Sequence, residues 1–204
     1  MTAASGGGHT PVRHKCGRDD RLCRFERWTL VSVPSLSLAG NQLFAASLGF
    51  PQFNKAIAAR TDATGEDVSI GFYVGGPSKE TATATIVHEV RWGNGSDAPW
   101  EVVGTDDTTF SITTPEYGTT VTSPVTVGGR ISGVDENIAV EVRISSSSSA
   151  VGTFCCLPAG GVASPWHSKV SFVAPTGSVL TIVARTGGHV ATVERITVTG
   201  ARAG

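Results

Sequence analysis

From residue 66 onward the chain alternates apolar and polar positions with a period of two. Val68, Ile70 and Phe72 alternate with Ser69 and Gly71. Ala82, Ala84, Ile86, His88 and Val90 fall on one face of an extended run over 81–92. Trp100, Val102 and Gly104 form a third run. Each is the pattern of a half-buried strand. Turns are predicted between them at Gly75–Lys79 and at Gly93–Asp97, where Asn94-Gly95 favours positive φ.

The same period continues to the C-terminus. Phe110 and Ile112 open it, and Pro115-Glu116-Tyr117-Gly118 is a turn. Val121 leads through Ser123-Pro124 into Val125, Val127 and Gly129. Pro124 belongs at a strand start or edge, because it cannot donate to a ladder. Ile138, Val140, Val142 and Ile144 are a clean strand, and Ser145–Ser149 a loop. Val151, Thr153, Cys155 and Leu157 predict the next strand, and Trp166 to Phe172 another, with Val170 and Phe172 inward. Val179–Ala184 is almost continuously apolar, as in a central strand, and Val190, Val193, Ile196 and Val198 close the set. About seven strands with turns every 8–12 residues predict an immunoglobulin-like sandwich, without the Cys…Trp…Cys pattern of antibody domains.

A helical period occurs only before residue 60. Leu43, Phe44, Ser47 and Leu48 predict a helix that Asn41 caps and Gly49 and Pro51 end. A further short turn is expected over Gln52–Ala59, with Phe53, Ala56 and Ile57 on one face. The expected architecture is therefore mainly β. Residues 1–37 read as a flexible basic tail, 38–106 as a small α+β segment (helix plus β-meander) and 107–204 as the immunoglobulin-like β-sandwich.

Composition narrows the function. Charged residues are 16% of the 204, and the net charge is −1, which excludes a nucleic-acid partner held by bulk electrostatics. No apolar run is long enough for a transmembrane helix. The first thirty residues carry a local charge of +3. The run 28–40 is too polar, and too interrupted by Pro34, to make a clear signal peptide. His9, His14, Cys16 and Cys23 miss the ligand spacings of zinc sites, so no cofactor or metal is assigned.

Catalytic patterns are equally thin. His88-Glu89 lacks the second His of a zinc-protease helix, and its context alternates as a strand. No nucleophile elbow or phosphate loop occurs. Asp106-Asp107 and Asp135-Glu136 fall at predicted loops, where solvated acids are the ordinary reading and a calcium site the sharper one. Tyr117, Trp166 and His167, together with Trp100, are candidates for a binding surface, since exposed aromatics anchor interfaces, though aromatics at strand ends also seal cores. Cys155 and Cys156 would face opposite sides of a strand. The buried one packs as a small apolar residue; the exposed one is a reactive thiol or a disulfide partner for another chain, Cys16 or Cys23.

One resemblance is carried by specific residues. Ile112-x-x-Pro115-x-x-Gly118-x-x-Val121-x-Ser123-Pro124-Val125-x-Val127-x-Gly129 resembles the opening of the immunoglobulin-like bacterial spore germination domain. Pro165-Trp166 followed by Val170-Ser171-Phe172 is similar to its middle strands, so the resemblance covers about residues 109–198. Trp100–Gly104 is similar to the strand that leads into this domain in actinobacterial envelope proteins, which carry a small α/β domain in front. Val134-Asp135-Glu136-Asn137 stands where the family has Phe-Glu. The resemblance implies a non-enzymatic, extracytoplasmic module of the cell envelope that docks an unknown protein or wall polymer through loops or a sheet edge. A carbohydrate-binding accessory module is the alternative, and an unrecognised hydrolase the more remote one. A cytoplasmic location is the expectation if export fails.

Overall fold

The computed structural model describes residues 32–33, 52, 55–61, 66–73, 81–91, 100–107, 109–145, 149–189 and 191–204. The expected helix at 41–49, the turns at 75–79 and 93–97, and His9, His14, Cys16 and Cys23 lie outside them. The described residues are strands and turns, with no helix among them. They form two sheets.

The first sheet is antiparallel, in the order β1-β5-β4-β3-β2. Its strands are β1 (Ser32–Val33), β2 (Lys55–Thr61), β3 (Glu66–Tyr73), β4 (Thr81–Arg91) and β5 (Trp100–Thr105). β1 pairs Ser32 with Glu101 and Val33 with Trp100, inside the stretch read as tail. β2 replaces the short helical turn expected at 52–59. So short a helix is marginal in water, and pairing along the edge of β3 satisfies the backbone groups instead.

On β4 the expected face is also corrected. Ile70 pairs with Thr85 and Gly71 with Thr83, so Ala84 is an extra residue in the ladder. A one-residue slip exchanges the faces. Val87 and Glu89 are therefore buried, while Ile86 and His88 are half-buried.

The second sheet contains β6 (Phe110–Thr114), β7 (Thr119–Val121), β8 (Val125–Ile144), β9 (Ala150–Val170), β10 (Val179–Thr186) and β11 (Arg195–Ala203). The order is β6-β8-β10-β11-β7, and β9 lies along the other side of β8. Six strands stand where seven were expected. The loop expected at Asp135-Glu136 and the break expected between the Val151–Leu157 and Trp166–Phe172 strands are absent; β8 and β9 run through as one hairpin with 20 and 21 residues per arm.

That hairpin folds over on itself. The first half of β8 pairs with β6 and the second half with β10. Val173, just past β9, donates its N–H to the carbonyl of Val151 near the start of β9, at 3.2 Å. Val125, Val127 and Ile131 from one half meet Ile138, Val140 and Val142 from the other in a single core. Trp166, Val170, Phe172, Leu180, Ile182, Ala184 and Phe110 fill the space between. The result is sandwich-like and mainly β.

Bulges make the fold possible. The core face of β8 uses odd positions up to Ile131 and even ones from Ile138. The register shift between Gly133 and Glu136, with one extra residue in β8, absorbs that change of phase, and the neighbouring shift between Ile131 and Gly133 adds one to β9. Bulges bend a strand and increase its twist, which turns the hairpin back over its own core. Gly129 is required nearby, because a Cβ there would lie 1.8 Å from the Ser111 carbonyl oxygen on β6.

The two sheets meet at β11. The Thr105 hydroxyl at the end of β5 lies 2.7 Å from that of Thr197, and accepts the Val198 N–H at 3.1 Å. Val183, Ile196 and Val198 are buried here, on the face of β10–β11 turned away from the sandwich core.

Candidate functional site

The bend of the long hairpin opens a groove of about 780 Å³, within the range of small-ligand sites. Gly133, Glu136 and Asn137 of β8 form one side, and Pro158 to Val162 of β9 the other. The groove lies where an extra residue of β9 and then an extra residue of β8 shift the register on either side of the Gly133–Gly161 pair.

Its charges are neutralised from within. The Arg195 guanidinium on β11 lies 2.6 Å from Glu136 Oε1. Arg195 also donates to the Ser132 carbonyl at 2.8 Å, and its guanidinium carbon sits 5.7 Å from the centre of the Phe110 ring. One side chain thus ties β11 to the bend and to the core. Gly133 makes room for this pair. A Cβ there would lie 2.4 Å from Glu136 Oε1 and 2.9 Å from Arg195 Nη2.

The β9 rim is held by backbone contacts. Arg130 Nη1 donates to the Ala163 carbonyl at 2.8 Å, and the Ala163 N–H donates to Ser132 Oγ at 2.9 Å. Ala163 has φ of 48°, so the rim turns sharply. Val162 projects from it and is 92% exposed. With Glu136 paired, the groove offers an exposed Asn137, glycine backbone and apolar side chains. That set suits an uncharged ligand segment recognised by backbone hydrogen bonds and apolar contact. Its lining side chains supply no Ser, Cys or His nucleophile.

The sequence-predicted residues separate. Trp166 is buried, with its ring centre 5.8 Å from that of Phe110, so it belongs to the core and not to a binding surface. The strand alternation that exposes His167 and Lys169 turns Trp166, Ser168 and Val170 inward. Tyr117 is exposed in the turn between β6 and β7. His167 shares a row with Gly128 and Thr114 across β9, β8 and β6, three residues before Tyr117. Trp100 lies on β5, and its side chain is outside the described residues.

Cys155 and Cys156 are both exposed and are joined to each other in a disulfide. The expected arrangement, one buried and one exposed, is not found. Phe154 packs against the core in place of Cys155, and Thr153 is exposed.

The remaining candidates are structural. His88 Nδ1 lies 2.7 Å from Asp67 Oδ1, across the β3–β4 ladder where the two residues are register partners, and away from the groove. Asp107 Oδ1 accepts the backbone N–H and the hydroxyl of Thr109, each at 2.7 Å, which shapes the chain entering β6. Asp135 and Glu136 sit within β8 rather than in a loop. No cluster of three or more metal-ligating side chains occurs among the described residues.

Sequence reasoning missed the groove. The available signals were the phase change between Ile131 and Ile138, and the glycines at 133, 160 and 161. The chain matches no protein-family model, no curated protein and no solved structure.

Proposed function

We propose that this chain is a non-enzymatic binding or scaffold module of a bacterial cell envelope, built on an immunoglobulin-like sandwich and acting outside the cytoplasm. The observation that carries the reading is the groove at the hairpin bend. It combines an apolar, glycine-rich lining, an internally neutralised Glu136–Arg195 pair and an exposed Val162 on its rim. Concave, largely apolar sites of this size are suited to holding a ligand segment. The resemblance of residues 109–198 to the spore germination domain supports the envelope assignment. The Cys155–Cys156 disulfide is in keeping with an oxidising compartment. Among the described residues, no helix is long and apolar enough to cross a membrane.

The occupant we favour is a neutral stretch of wall polymer, because paired charges in the groove leave backbone and apolar contacts to do the recognition. The carbohydrate-module alternative loses one of its aromatics to the core, since Trp166 is buried. The experiment is fractionation of the native gene product, followed by co-sedimentation of the full chain with purified wall sacculi. Recovery in the envelope fraction and pelleting with sacculi are expected. A full-length cytosolic protein that stays in the supernatant overturns the proposal.

A further inference from the structure

Adjacent residues of a regular strand point to opposite faces. β9 breaks that rule between Phe154 and Leu157. Both of these pack against the sandwich core, although they are three positions apart. Leu157 is the register partner of Ile138 and Phe154 that of Val140, so Cys155 and Cys156 together stand opposite the single residue Ala139. The bulge turns both cysteines outward, and both are exposed. Their sulfurs are bonded to each other.

We propose that Cys155–Cys156 is a reversible thiol–disulfide exchange site, reduced by a soluble dithiol and closed again by a disulfide oxidant. In reduction, one thiolate of the dithiol attacks a cysteine sulfur. The protein S–S bond breaks, and a mixed disulfide forms with the attacked cysteine. The second thiol of the reagent then displaces that cysteine and leaves as a cyclic disulfide. Two electrons and two protons pass to the protein, which now carries two thiols.

Access governs such exchange, and exposed disulfides are the labile ones. The anchors of the bulge are Phe154 and Leu157, which the core holds whatever the state of the sulfurs. Reduction therefore changes surface chemistry without unfolding the sandwich. The reduced form is a pair of adjacent soft thiols, a fit for a trivalent arsenical or a soft metal ion. This site does not depend on what the groove binds.

The test uses the full chain with Cys16→Ser and Cys23→Ser, so that only this pair remains. The protein is equilibrated with oxidised glutathione, alkylated and digested with trypsin. Peptide 144–169 contains both cysteines and no internal Lys or Arg. It is expected without alkyl groups and two hydrogens lighter than its reduced form. After brief dithiothreitol treatment of the folded protein, both cysteines are alkylated, while the circular dichroism spectrum is unchanged. The reduced protein then retains phenylarsine oxide, and Cys156→Ser does not. The proposal is overturned if the oxidised sample is already doubly alkylated. It is also overturned if glutathione adducts replace the internal bond, or if reduction requires prior unfolding.

Discussion

The two halves of β9 obey different rules. From Ser164 to Val170 the strand alternates strictly, with Trp166, Ser168 and Val170 inside and His167 and Lys169 outside. From Val151 to Val162 the alternation fails repeatedly. Phe154 and Leu157 pack inward across two exposed cysteines, and Val162 stands almost fully in solvent. Regular alternation serves packing alone, and side chains are dictated by the core they enter. Bulges spend ladder regularity to aim particular residues outward, and they gather where a surface is used. The regular half packs the core, and the irregular half carries Cys155, Cys156 and Val162 out of it.

If that division holds, damage to the regular half should be the most destabilising. Trp166→Ala removes the largest aromatic at the centre of the sandwich and is expected to cost about 3–5 kcal/mol in urea unfolding. A loss near zero would mean that Trp166 is not a core residue. Next comes the tie between the halves. Arg195→Leu leaves Glu136 buried without its counter-charge, an effect of about 3 kcal/mol by the same assay. Glu136→Gln in the same chain should recover part of that loss; no recovery would show that Arg195 acts through Phe110 and Ser132 instead. Smaller again is Gly133→Ala, where the added methyl meets the Glu136–Arg195 pair, at about 1–3 kcal/mol. A neutral result there would mean that the bend has slack, against the packed geometry described.

Much of the sandwich was legible from alternation. Val125–Val127, Ile138–Ile144 and Val179–Ala184 all lie in strands, and the core-facing residues among them were readable by period two. The continuity of β8 and β9 was not. A change of phase looks the same in sequence whether the chain turns or bulges, and only the pairing partner decides. Ala84 misled for the same reason, since one extra residue in the ladder moved Val87 and Glu89 inward. The strand at Lys55–Thr61 was hidden because alanine-rich sequence is locally helical and the edge of β3 outweighs that preference. Tyr117 and His167 are exposed, while Trp166 obeyed the alternation that its aromatic character distracted from. The groove lies where bulges in the two arms follow one another on either side of Gly133–Gly161, and nothing in one arm announces the other.

The proposed recognition surface is the irregular half of β9. Val162 and Val173 allow a matched comparison, for both are strongly exposed valines and only Val162 lines the groove. Val162→Asp and Val173→Asp should each leave stability within about 0.5 kcal/mol. The measurement is co-sedimentation of the full chain and both variants with purified wall sacculi. The account predicts that Val162→Asp loses most of the binding while Val173→Asp keeps it. Equal losses in the two variants, or no loss at Val162, would contradict it.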